Sequence, residues 1–199
     1  FLNQLHQQKG SRTMNSIVKT VRQSLLISSL LIVSAPTYAA VDMFLQIEGV
    51  NGESKDSEYT GSMDILAWSE GLAIPVTYDT GGGGSVGKAN AQSISITKFI
   101  DSASPELRFN LVRGELMPTA SIIVRKSTAA DSYEMFRIDL TDVRLDSVSA
   151  SAASGDDRPT ENISLFFTKI RWIYTPVDQT GKPGSKIIRG WDFSKNAAF

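Results

Sequence analysis

In Phe136-Arg137-Ile138-Asp139-Leu140, three apolar side chains alternate with two charged ones. A period of two describes a strand with one dry face and one wet face. The same period runs through Phe44-Leu45-Gln46-Ile47-Glu48, where Leu45 and Ile47 share a face with Met43. It recurs in Ala120–Arg125, where Ala120, Ile122 and Val124 share one. Weaker strands are predicted over Met63–Ser69, Ser93–Phe99, Asp142–Ser149 and Lys186–Phe193. Ser164–Tyr174 reads as a strand that is apolar on both sides. Leu165, Phe167 and Ile173 lie on one face with Lys169 and Arg171, and Phe166, Ile170, Trp172 and Tyr174 lie on the other. Such a strand needs cover twice. One face suits the domain core, and the second calls for a helix or another subunit.

One helix is well signalled. Ser104 suits the N-cap, Pro105 the first helical position, and Glu106 the positive end of the dipole. Leu107, Leu111 and Val112 give an apolar stripe, and Gly114 is a natural terminator. At about ten residues the helix is too short to stand alone in water and must dock on a sheet. Turn-forming residues cluster at Gly81–Gly84, Ser151–Pro159 and Asp178–Gly184. The pattern predicts a mainly β domain, an antiparallel barrel or sandwich of two packed sheets, with one flanking α-helix.

The segment Gly71–Gly87 holds a conflict. Ala73, Ile74 and Val76 are apolar around Pro75, yet four consecutive glycines follow. Glycine runs are entropically costly to order. The segment is too apolar for a solvated tether and too glycine-rich to be expected to hold its own shape, so a partner surface is expected to bury Ile74 and Val76.

The N-terminus reads as an export leader. Lys19 and Arg22 precede the apolar run Leu25–Val33, and the small-residue exit Ser34–Ala40 follows. The apolar run is shorter than a ~30 Å hydrocarbon layer demands of a helix. Residues 14–39 are therefore expected to be a signal peptide, cleaved after Ala39 or secondarily after Ala40. Residues 1–13 lack Met and read as an upstream extension.

Charge and composition narrow the chemistry. The chain has 199 residues, one His and no Cys, so disulfides, thiolate metal sites, Cys nucleophiles and paired imidazoles are excluded. All 21 acids fall after residue 39, leaving a net-acidic body that suits neither nucleic acid nor an anionic membrane. Gly82–Lys88 matches G-x-x-x-x-G-K, but residue 89 is Ala and a strand pattern follows instead of a helix. Asp156, Asp157 and Glu161 would be the carboxylates of a hydrolase. Their loop offers solvent instead of the burial a general acid needs, and Arg158 would lower the acids' pKa. Asp156, Asp157, Arg158 and Glu161 are therefore read as a structural loop. Trp68, Trp172 and Trp191 would serve as a sugar platform, though large rings more often fill cores and interfaces. No cofactor is expected.

The mature chain resembles the haemolysin-coregulated protein (Hcp) family of type VI secretion over essentially all of residues 40–199. The likeness rests on Ala40–Leu45, Gly49–Ser54, Asp64–Ser69, Gly81–Lys88, Thr97–Asp101 and Ser104–Leu107 in the first half. Gly155–Glu161, Thr168–Ile170, Tyr174–Pro176, Gly181–Gly184 and Gly190–Asp192 carry it in the second. The resemblance implies a single β-barrel domain with a flanking helix and no enzymatic activity. It implies a ring-forming protein, a homohexamer whose rings stack into a tube and hold effector cargo, with spike and sheath components as further partners. It points to Ala73, Ile74, Val76, Gly81 and Gly84 as ring-stacking candidates. Phe166, Ile170, Trp172 and Tyr174 become lateral-interface candidates. The leader adds a secreted or periplasmic location, with no membrane contact after cleavage. The alternative is an exported orphan of this family that binds carbohydrate or a surface without a tube role.

Overall fold

The strands close into a barrel because one of them, far longer than the rest, is shared by two sheets. The computed structural model describes residues 41–78, 84–127, 132–155 and 157–199. The leader, its cleavage positions Ala39 and Ala40, and also Gly81 and Asp156 lie outside the described residues. In chain order the elements are β1 (Val41–Ile47), β2 (Met63–Ser69), β3 (Leu72–Ala73), β4 (Val76–Tyr78), β5 (Gly84–Val86), β6 (Asn90–Ala91) and β7 (Ile94–Phe99). Then come α1 (Ser104–Arg113), β8 (Met117–Ser127), β9 (Ser132–Ser151), β10 (Thr160–Phe166), β11 (Lys169–Tyr174), β12 (Ile187–Asp192) and β13 (Ala197–Ala198).

All of the pairings are antiparallel. Strand neighbours run β10-β7-β2-β1-β8-β9, and β9 pairs back to β10, so the path returns to its start. Closure removes the exposed edges of those strands. β11, β12 and β13 extend the sheet beyond the first half of β9.

Two predicted boundaries are corrected here. The segments Phe136–Leu140 and Asp142–Ser149 are one 20-residue strand, β9. The segment Ser164–Tyr174 is two strands, β10 and β11. Both corrections come from one crease. Phe136–Thr141 pairs with β11, whereas Arg144–Ser151 pairs with β10. Between them Asp142 takes φ +54°, a left-handed conformation that Asp tolerates better than most side chains. Its Oδ2 accepts from Thr168 Oγ1 at 2.7 Å, and Thr168 N–H donates to the Thr141 carbonyl at 3.1 Å. The crease resets side-chain parity, so Phe167 and Ile170 both turn inward and are buried.

Leu45, Met63, Ile94, Ile96, Ile122, Ile138, Leu140, Ile163 and Leu165 fill the barrel and are fully or almost fully buried. At roughly 1.5–3 kcal/mol per buried side chain of this kind, this set dominates the stability. Among the described residues the buried hydrophobic core lies between Phe44 and Ile170.

The helix runs Ser104–Arg113 and ends at Gly114 with φ +62°, as its sequence predicts. Its start differs from the prediction. Ala103 is the N-cap, without a side-chain cap bond, and Asp101 Oδ1 accepts the Ala103 N–H at 3.0 Å. The buried row is Ser104, Leu107 and Asn110, with Leu111 packed beside it, whereas Val112 is 79% exposed.

The Gly71–Gly87 segment also departs from expectation. It belongs to an arm with paired strands, β4 against β5 and β3 against β6. Among the described residues, Val76–Tyr78 and Gly84–Val86 are ordered by backbone pairing, and the glycines 81–83 lie outside the described residues.

Candidate assembly surfaces

A buried ionic node fastens the helix to the barrel. On β7 the inward parity runs Ile94, Ile96, Lys98, and on β10 it runs Glu161, Ile163, Leu165. Antiparallel register sets Lys98 directly opposite Glu161, and both are fully buried. Lys98 Nζ donates to Asp101 Oδ1 at 2.6 Å and to the Phe99 carbonyl at 2.9 Å, and lies 3.0 Å from Glu161 Oε1. Ser104 Oγ donates to Glu161 Oε1 at 2.6 Å, and Arg108 Nη1 lies 2.8 Å from Glu161 Oε2. Ser104 thus serves the node and not the helix cap. Burial pushes the Glu161 carboxyl up, but hydrogen bonds from Ser104 and Lys98, with the charges of Lys98 and Arg108, more than offset it. The net position is below the ordinary carboxylate range, the opposite of what a general acid needs.

Glu161 is therefore not part of the acidic loop. Asp157 is exposed on that loop, and Arg158 lies over the Phe99 ring at 4.4 Å. Of the carboxylates that would have served a hydrolase, the two described ones occupy different environments, Asp157 solvated and Glu161 locked in a salt bridge. Among the described residues no group of three His, Asp or Glu side chains is placed to hold a metal ion.

A second charged cluster pins the long β1–β2 connection. The Arg125 guanidinium pairs with Asp56 and Asp42 and lies over the stacked rings of Phe44 and Tyr59, whose centroids are 4.6 Å apart. The Arg125 hydrogen bond holds the Asp56 carboxyl below its usual value. Burial first, and then the hydrogen bond to Glu134, push the Tyr59 hydroxyl up.

The tryptophans are half-buried and packed against the core. Trp68 stacks on Phe136 with centroids 5.9 Å apart, and Trp172 Nε1 donates to Glu70 Oε1 at 2.8 Å. Burial raises the Glu70 carboxyl, with the Trp172 hydrogen bond opposing. That bond ties the root of the arm to β11.

Part of the uncovered surface is apolar. On the arm Leu72, Ala73, Ile74, Val76 and Val86 are exposed. Gly84 opens β5 and pairs with Tyr78. Of the four lateral candidates, Phe166 and Tyr174 are exposed and Trp172 is half-buried. Ile170 is fully buried in the chain's own core and offers no surface to a neighbour. Sequence reasoning missed Ile187 and Ile188, both exposed on β12, where Ile187 pairs with Tyr174. Their adjacency in the sequence places them on opposite faces of one strand, the signal that would have found them. Among the described residues no helix is long and apolar enough to cross a membrane.

Residues 44–174 match the family model described as type VI secretion system effector, Hcp. The chain belongs to the Hcp family. Protein hcp1 of Pseudomonas aeruginosa is 39% identical over 158 residues, covering 79% of this chain and 98% of that protein. A solved structure of a type six secretion system protein superposes with a TM-score of 0.75 at 31% identity, covering 80% of this chain and 100% of the other. The crystal structure of Hcp1 from Salmonella typhimurium gives 0.67 at 29% identity, covering 80% and 99%. This Hcp protein thus shares the antiparallel fold of its relatives along nearly their whole length.

Proposed function

We infer that the mature Hcp chain is a non-enzymatic structural protein that assembles into hexameric rings, which stack through the arm and hold effector cargo in the lumen. The observation that carries this reading is the arm. Val76 and Val86 face each other across its strands and are 47% and 66% exposed, on a projection with no core of its own. Exposed apolar surface concentrated on a projecting element marks an interaction site. Tyr174 and Ile187, exposed cross-strand partners on β11 and β12, add a second apolar patch suited to a lateral neighbour. Spike and sheath components of the secretion machine are further partners in this reading. Electron microscopy of concentrated protein tests it: rings with an open centre, some in stacks, are expected, and a field of compact single subunits would refute it.

The leader adds a proposed route. The basic, apolar and small-residue pattern ending at Ala39 directs the chain out of the cytoplasm before residues 40–199 fold as a single domain. N-terminal sequencing of periplasmic protein should begin at Ala40 or Val41. A soluble cytosolic product that retains Met14 would show that the leader is not used.

A further inference from the structure

The root of the arm and the β11–β12 extension line an open hollow of about 440 Å³. Leu72, Ile74, Trp172, Trp191 and Phe193 line it, and Arg189 is its one charged lining residue. Among the described residues no carboxylate pairs with Arg189, whose Nη1 donates only to the neighbouring Ile188 carbonyl at 2.7 Å. An apolar hollow with a lone cation at its rim suits a protruding apolar group that carries a carboxylate beside it.

The same chain carries that shape elsewhere. On the outer side of α1, Glu106, Phe109 and Val112 follow one another at helical spacing, and all three are exposed. Glu106 has no ionic partner among the described residues. Arg113 lies over the Phe109 ring at 5.1 Å and is matched by Glu115 at 3.2 Å, so it brings no unbalanced positive charge to the row. Ser104 and Arg108 fasten α1 to Glu161 on β10, and that anchoring leaves Glu106, Phe109 and Val112 exposed.

We propose that Phe109 and Val112 of one copy fill the arm-root cavity of a second copy, with Glu106 set against Arg189. The two surfaces differ, so the contact is heterologous and repeats head to tail, which closes into a ring when the rotation allows. It rests on the ring reading above and gives that ring a lateral contact.

Charge reversal tests it. Residues 40–199 are compared by light scattering over a dilution series as wild type, Glu106→Arg, Arg189→Glu and the double reversal. Each single reversal should raise the concentration at which assemblies dissociate about tenfold or more, and the double should return it to within about threefold. Phe109→Ala should weaken assembly by a similar factor or more, about tenfold. At concentrations below assembly the unfolding midpoints of Arg189→Glu and Phe109→Ala should stay near wild type, because both side chains are exposed, while Glu106→Arg should lose only the small helix-dipole contribution of an acid in the first turn. Wild-type rings that ignore the single reversals, or a double no better than the worse single, would overturn this contact and leave the ring standing. A monomeric wild type would remove both together.

Discussion

Lys98→Ala should lower the unfolding free energy by about 3–5 kcal/mol, the range for breaking one side of a buried ion pair. The substitution leaves Glu161 fully buried without its fully buried cation, with only the part-exposed Arg108 and the Ser104 hydroxyl in reach. It also opens space beneath α1. Lys98→Met keeps most of the volume and should still be costly. Combining Lys98→Met with Glu161→Leu should recover most of the loss, because a buried pair exchanged for packed apolar groups is often near neutral. Urea denaturation at neutral pH measures each step. Wild-type stability for Lys98→Ala would mean that water reaches Glu161.

The same node sets an acid response. Glu161 is held below its unfolded value, so its contribution is fully present above the unfolded pKa of ~4.3 and is lost as pH falls through the lower folded value. Asp56 behaves alike. The wild type should therefore lose stability in acid more steeply than Glu161→Gln, which lacks that titration. The difference between the two, and not the whole acid slope, belongs to Glu161.

Val76→Asp with Val86→Asp should abolish ring stacking while leaving folding and single rings intact. The two valines are register partners on β4 and β5, and neither belongs to the core. Their burial between rings would be worth ~1.5–3 kcal/mol for each side chain. A charge buried there without a partner costs more again, and the effect repeats around a ring. Ile74→Asp should weaken stacking too, but Ile74 also lines the arm-root cavity, so that variant tests two contacts at once. Sedimentation or microscopy of concentrated protein reads out the stacks, and unfolding curves check the fold. Variants that unfold or fall to monomers would place the arm in the subunit core or the lateral contact instead.

What the chain reveals before folding follows from how local each feature is. Phe136–Leu140 is readable because alternation is a property of neighbours. The crease at Asp142 and Thr168 is not, since it depends on two strands meeting far apart in sequence. That crease is why Ile170 reads as surface and turns out to be core. Ser104 reads as a cap by a local rule, and its hydroxyl is taken by Glu161, 57 residues away. The ionic node was nonetheless signalled: Lys98 and Glu161 each occupy the inward parity of an otherwise aliphatic strand. Two opposite charges at core positions predict each other. The apolar character of the arm was legible from Ile74 and Val76, which are exposed, while the strand pairing of its described residues is not revealed by composition.

Assembly into a ring is the claim on which the rest depends, and the molar mass of residues 40–199 by light scattering tests it most directly. The expected result is a particle of about six subunit masses, the closed head-to-tail assembly of one heterologous contact; a strictly monomeric particle at tens of micromolar would contradict it.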